Sequence, residues 1–406
     1  MSRVRTYGSV IGTAVVPTAS GASGVFDITT AAVETQANTW AGTVANPWPA
    51  VTSDNIIGMA VGAYNATTTV GLSNNIQMMK LTSDGKYYKL KLDTSATDRL
   101  IDVLGTVTAS KGGLYIVYGV NQTTTNFRYI IYKKSTTEAK YTQISAINLA
   151  GTKTPSAHFN PDGTLLALTA GDGLHIYQRT GDTFTELSRP TGGPTSLTNV
   201  SVQWSWDGTK LALAGGGSSG ALGPFVWSVS GTTLTPITVN IKKPTGSDNF
   251  IGWNRDSTKF LVSSGSTGYY YVGSPDGSQF SLASNISTML PTSTYGPANL
   301  TNESWNRYGN VVVFGKTATP KIYSVTGNTF VNTGSFSSTS GFYTHSTIAF
   351  SSDEDVVVVN TGSSNLFNFY TGAGTTLTLA ASRDNLDSWC DLIGTGGLTV
   401  LCFIYQ

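Results

Sequence analysis

The stretch HFNPDGTLLAL, running from His158 to Leu168, returns four more times along the chain in altered form. The copies read QWSWDGTKLAL from Gln203, GWNRDSTKFLV from Gly252, SWNRYGNVVVF from Ser304 and AFSSDEDVVVV from Ala349. Each holds an aromatic or bulky anchor (Phe159, Trp204, Trp253, Trp305 or Phe350), then a polar turn, then an alternating apolar run. The anchors stand 45, 49, 52 and 45 residues apart. That period belongs to a unit that cannot bury its own faces and must stack on its copies. Asp162-Gly163 and Asp207-Gly208 supply the positive φ that a tight hairpin turn requires.

The remaining strands of each unit follow at regular distances. Third strands read GLHIYQR from Gly173, PFVWSVS from Pro224, GYYYVGS from Gly268, PKIYSVT from Pro320 and NLFNFYT from Asn365. Short fourth strands follow, such as FTELS, TLTPI, QFSLA, TFVNT and TLTLA, with the period of two expected of half-buried strands. Asp102 to Val120 with Phe127 to Lys134 form a degenerate sixth copy. Two pieces are left: Asn55 to Leu92, and the C-terminal stretch from Trp389 to Tyr405. Joined, they make a seventh blade that closes the ring and pairs edges otherwise left open. The expectation is an all-β, seven-bladed β-propeller over residues 51–406, closed by strands from both chain ends. Eight blades are the alternative, if Ile56 to Leu72 forms extra strands.

The phrases FNPDGTLLAL and WSWDGTKLAL resemble the PD-type WD40-like repeats of bacterial propellers, a resemblance extending in pattern over about residues 100–380. It implies the fold and says nothing of activity. The two cysteines, Cys390 and Cys402, lie about equally far on either side of Gly396, so a cross-strand disulfide and two reduced thiols both fit a hairpin there.

Composition narrows the functional classes. Of 406 residues, 39% are hydrophobic, enough for a core, and only 12% are charged, so Ser, Thr, Asn and Gly must build much of the surface. The net charge is +1 and the basic residues are scattered, which argues against nucleic acid as a partner. No apolar run reaches the ~20 residues of a membrane span, and the N-terminal apolar stretch is broken by Gly12, Thr13 and Pro17, so neither membrane insertion nor a signal peptide is expected.

Residues 1–50 stand outside the repeat. Asp27 can cap a helix over TTAAVETQANTW, and such a short helix needs a surface to dock on. The matches Gly24, Val25, Phe26, Ile28 and Trp40, with Trp48-Pro49 after them, resemble a segment of phage tail-fibre, baseplate and other virion proteins. Asp27 and Ala41 depart from that pattern. The resemblance implies attachment through residues 1–50 to other virion proteins, assembly in the host cytoplasm and homo-oligomers within a particle.

No catalytic constellation stands out. The three histidines are His158 and His175, on the predicted first and third strands of one blade, and His345 in a polar loop; structural roles are expected for them. The carboxylates Asp162, Asp207, Asp256, Asp276 and Asp353 fall in turns, where turn chemistry accounts for them. Neither a metal site nor a cofactor is expected. The reading is a phage virion structural protein, not an enzyme, whose ring presents a surface to host glycan or protein. Tyr64, Tyr269, Tyr270, Tyr295, Phe342 and Tyr343 are the expected contact residues. A bacterial propeller scaffold or lectin, then a propeller glycosidase, are the alternatives.

Overall fold

The structure, a computed structural model, describes residues 33–34, 57–62, 76–81, 87–91, most of 102–360, then 367–371, 378–383 and 400–404, with side-chain detail between 108 and 334. Its strands fall into seven antiparallel units. Blade one takes β1 (Val33–Glu34), β2 (Ile57–Gly62), β3 (Ile76–Leu81) and β4 (Tyr87–Lys91). Blade two is β5 (Asp102–Ala109), β6 (Tyr115–Thr123), β7 (Asn126–Lys134) and β8 (Tyr141–Ala150). Blade three is β9 (Ala157–Phe159), β10 (Leu165–Ala170), β11 (Gly173–Thr180) and β12 (Thr183–Glu186). Blade four is β13 (Thr198–Trp204), β14 (Lys210–Gly217), β15 (Gly220–Ser230) and β16 (Thr233–Asn240). Blade five is β17 (Asn249–Trp253), β18 (Lys259–Ser264), β19 (Thr267–Gly273) and β20 (Gln279–Asn285). Blade six is β21 (Val311–Phe314), β22 (Lys321–Thr326) and β23 (Thr329–Ser335), with Trp305 bridging Val312 where a first strand belongs. Blade seven is β24 (Ile348–Phe350), β25 (Val356–Asn360), β26 (Phe367–Thr371) and β27 (Thr378–Arg383). The last strand, β28 (Val400–Ile404), returns to blade one beside β2.

This is a seven-bladed β-propeller. First strands face one another around the axis, β28 next to β5 and β24, and β9 next to β5 and β13. As the sequence implies, the closing blade joins both parts of the chain: β28 supplies its innermost strand, with Cys402 opposite Ala60, and β2 to β4 supply the rest. Cys390 and the hairpin expected around Gly396 lie outside the described residues. One expectation fails here. Val33–Glu34, read as part of a helix, form strand β1 parallel to β4, with Val33 opposite Tyr87. The open N–H and C=O groups of an outer edge strand offer this segment partners, where a helix of three turns gains little alone in water.

The core is a set of layers between blades. Along β10, Leu166 and Leu168 pack toward blade two, while Leu165 and Ala167 pack toward blade four. This is the period of two put to use on both sheet faces. Anchors fill the same layers: Phe159 between blades two and three, Trp204 between three and four, Trp253 between four and five, Trp305 between five and six. All three tryptophans are essentially without solvent exposure.

Two of these indoles, those of Trp204 and Trp253, also tie their blades to the preceding ones. Trp204 Nε1 donates to the carbonyl of His158 at 3.0 Å, and Trp253 Nε1 to the carbonyl of Gln203 at 3.0 Å. In both cases the acceptor is the residue just before the preceding blade's anchor. Backbone N–H groups on the open side of the first strands are met in the same way. Trp204 N donates to His158 Nδ1 at 3.2 Å, Val202 N to Ser156 Oγ at 3.1 Å and Phe159 N to Thr108 Oγ1 at 3.4 Å.

The turns between first and second strands interlock too. Gly163 and Gly208 sit at φ 70° and 69°, as the Asp-Gly reading requires. Blade five places Ser257 there at φ 60°, and its hydroxyl accepts from Asp207 N at 3.1 Å, a bond between turns that glycine would not make. At the rim, β16 and β20 pair in parallel, Val239 opposite Phe280, so blades four and five share one eight-stranded sheet.

Three outcomes follow. Trp204→Ala is expected to cost about 3–5 kcal/mol in urea denaturation, from lost burial and the cavity left behind. Trp204→Phe, which keeps most of the ring volume and loses the indole bond, should cost about 1 kcal/mol. Removing residues 400–406 leaves β2 without its inner neighbour, and size-exclusion chromatography should show soluble aggregates in place of the parent's peak.

Candidate functional site at a blade junction

Blade three carries a charged cluster at the end of the ring opposite the Asp-Gly turns. Asp172 lies in the two-residue turn between β10 and β11, His175 near the start of β11, Glu186 at the end of β12, and Arg189 on the segment leading to β13. The strand register brings these together, since β11 runs back beside β12 with Tyr177 opposite Glu186. Gly173 makes the turn fit: its φ is +131°, and a Cβ there would stand 2.7 Å from the Pro194 carbonyl oxygen.

The His175 ring is the centre. Its Nδ1 lies 2.6 Å from Glu186 Oε1 and its Nε2 2.9 Å from Asp172 Oδ1. Both nitrogens can donate together only in the imidazolium form. Arg189 Nη2 pairs with Asp172 Oδ2, and its Nη1 donates to the Asp172 carbonyl at 2.7 Å. Tyr177 OH donates to Glu186 Oε2 at 3.4 Å. The His175 side chain is 4% exposed, while Asp172, Glu186 and Arg189 are 47%, 43% and 46% exposed. A buried imidazole is therefore clamped beneath three charged groups that solvent can reach.

Electrostatics follow from this packing. Burial alone would raise the Asp172 carboxyl, but its bonds to Arg189 and His175 outweigh that and hold it below the usual range. Burial, reinforced by the Glu186 charge, pushes Tyr177 well above the ordinary phenol range, so it stays a neutral donor. The two carboxylates sit on opposite edges of the imidazole and do not converge. Among the described residues, no group of three or more His, Cys, Asp or Glu is placed to hold a metal ion. The arrangement offers a carboxylate that can take a proton, an imidazole that orients it, and a guanidinium that can meet an oxyanion.

Sequence reasoning passed over this cluster and treated His175 as structural. The signal was present but weak: Asp172, His175, Glu186 and Arg189 span eighteen residues, and only the β11–β12 register shows that they meet. The residues expected to touch a host surface fare differently. Tyr269 and Tyr270 are 7% and 0% exposed, packed in the layers on either side of blade five. Successive residues of β19 point to opposite faces, and both faces are buried. Tyr64, Tyr295, Phe342 and Tyr343 lie outside the described residues, as do Gly24, Val25, Phe26, Ile28, Trp40, Trp48 and His345.

The other histidine of this blade serves the ring. His158 Nδ1 accepts the Trp204 N–H, and burial pulls its pKa from 6.5 down to about 4.

No family model and no curated protein matches the chain. Solved structures do. A protein from Lactobacillus plantarum is similar at TM-score 0.60 and 12% identity, over 85% of this chain and 99% of that one. The periplasmic gluconolactonase of Pseudomonas aeruginosa is similar at 0.58 and 14%, over 86% and 99%. A Bacteroides fragilis protein assigned as a 6-phosphogluconolactonase follows at 0.57 and 13%, over 82% and 96%. The shared feature is the propeller. These likenesses correct the expectation of a phage virion structural or adhesive protein that is not an enzyme. Bacterial proteins, gluconolactonases among them, share the propeller over 82–86% of this chain, and the virion and host-attachment reading is set aside.

The His158 environment gives a pH dependence with a definite sign. The folded pKa lies below the unfolded one, so the unfolded state binds the extra proton, and stability falls as pH drops from about 6.5 to about 4. The shift corresponds to at most about 3 kcal/mol. His158→Asn, which keeps an acceptor for Trp204 N–H, should flatten that part of the stability curve in urea titrations at stepped pH.

Proposed function

We propose that this propeller hydrolyses a sugar-derived lactone at the face formed by Asp172, His175, Glu186 and Arg189. The observation that carries the reading is the His175 ring held between two carboxylates beside Arg189, open to solvent on the charged side. The likeness of the ring to gluconolactonases over nearly their whole length supports the substrate class.

The chemistry needs few parts. Glu186 accepts a proton from water as the water oxygen bonds to the lactone carbonyl carbon, and the carbonyl π pair moves to oxygen. The Arg189 guanidinium stabilises that oxyanion, and His175 holds Glu186 in place. The oxyanion then re-forms the carbonyl and breaks the bond to the ring oxygen. That oxygen takes the proton from Glu186, leaving an open-chain hydroxy acid. Asp172 acts at one remove, positioning both His175 and Arg189.

The test is the initial rate of glucono-1,5-lactone hydrolysis in a pH-stat, corrected for the spontaneous reaction. Glu186→Gln is expected to lower kcat by about 100-fold or more, the usual share of a general base. Lack of acceleration by the intact protein, or equal rates for Glu186→Gln and the parent, overturns the proposal.

A further inference from the structure

The innermost strands of blades three to five carry a second polar feature, at the turn end of the ring away from the charged cluster. In blades two and three, polar side chains beside the axis are spent on the neighbouring blade. Thr108 accepts from Phe159 N, Ser156 from Val202 N, and His158 Nδ1 from Trp204 N. Gln203 occupies the position in blade four that His158 occupies in blade three, each just before its anchor and opposite an alanine of the second strand. Its side-chain amide makes no hydrogen bond among the described residues. Yet the residue is only 8% exposed, and Oε1 is buried without a partner.

A buried amide oxygen left unpaired costs stability, so such a group calls for an explanation. In blade five the same position is Gly252, which has no side chain to reach back toward Gln203. In blade three the partner group is complementary. Because His158 Nδ1 accepts from Trp204 N, the proton of the neutral ring sits on Nε2, which has no acceptor among the described residues. A free donor and a free acceptor therefore stand on adjacent first strands. The first strands of blades three to five read AHF, TNVSVQW and NFIGW, without a single Lys, Arg, Asp or Glu.

We infer that the axial side of blades three to five is a binding site for an uncharged, hydroxyl-rich ligand of the monosaccharide class. His158 Nε2–H donates to one hydroxyl oxygen of the ligand, and Gln203 Oε1 accepts from another hydroxyl. Anionic sugars are disfavoured because these three first strands carry no Lys or Arg to repay their desolvation. The site lies at the other end of the ring from Glu186 and stands whether or not the lactone chemistry does.

The experiment is calorimetric titration of the full chain with glucose and, as the matched anion, glucose 6-phosphate. Glucose is expected to bind, and glucose 6-phosphate to bind at least about tenfold more weakly. Gln203→Ala and His158→Asn should each weaken glucose by about tenfold, the effect of one lost hydrogen bond. His158→Asn keeps the acceptor that Trp204 N requires, so its ring should remain folded, checked by an unchanged denaturation slope. Glu186→Gln should bind glucose like the parent, which separates this site from the hydrolytic one. Absence of glucose binding, equal or tighter binding of the phosphate, or parent-like affinity in folded His158→Asn overturns the inference.

Discussion

The middle of the ring depends on one contact: the anchor tryptophan of blades four and five buried against the blade before it, with its indole N–H on the carbonyl of the residue preceding that blade's own anchor. A four-stranded antiparallel unit exposes two apolar faces and an inner edge, and none of these is tolerable alone in water. Trp204 and Trp253 address all three needs together. Their rings fill the interblade layer, their Nε1 groups bond to His158 and Gln203 carbonyls, and the Trp204 N–H finds the His158 ring. Where the repeat loosens, so does the tie: among the described residues, Trp305 Nε1 has no partner, and a single bridge, Trp305 to Val312, stands where the first strand of blade six belongs.

Once blades are held this way, two edges remain. The inner one is closed by β28 against β2, so that the ring's last strand sits beside its first. The outer one is treated locally. β1 adds to β4 on the closing blade, and β16 joins β20 to fuse two blades at the rim. Both rim pairings are parallel.

The same packing creates the two polar places on blade three. The layers are so fully apolar that a charged group can live only at a strand end, and Asp172, Glu186 and Arg189 gather at one end around the His175 ring. At the other end, burial keeps the His158 ring an uncharged acceptor for the Trp204 N–H. One blade thus holds one histidine between two carboxylates and another that accepts from a backbone N–H.

Much of this was legible in the residues themselves. Repeated anchors from Phe159 to Phe350, Asp-Gly turns and alternating runs determine a blade, and their number with the leftover pieces determines seven blades closed from both ends. Those features are local: turn chemistry and period-two patterning act within a dozen residues. What only the tertiary structure decided is nonlocal. That Tyr269 and Tyr270 are buried follows from blade five having neighbours on both faces, and no single strand encodes which faces are covered. That Val33–Glu34 pair as a strand follows from the open edge of β4. That Asp172, His175, Glu186 and Arg189 meet follows from the β11–β12 register and the connecting segment, because charge pairing is a matter of distance in space and the sequence lists only distance along the chain.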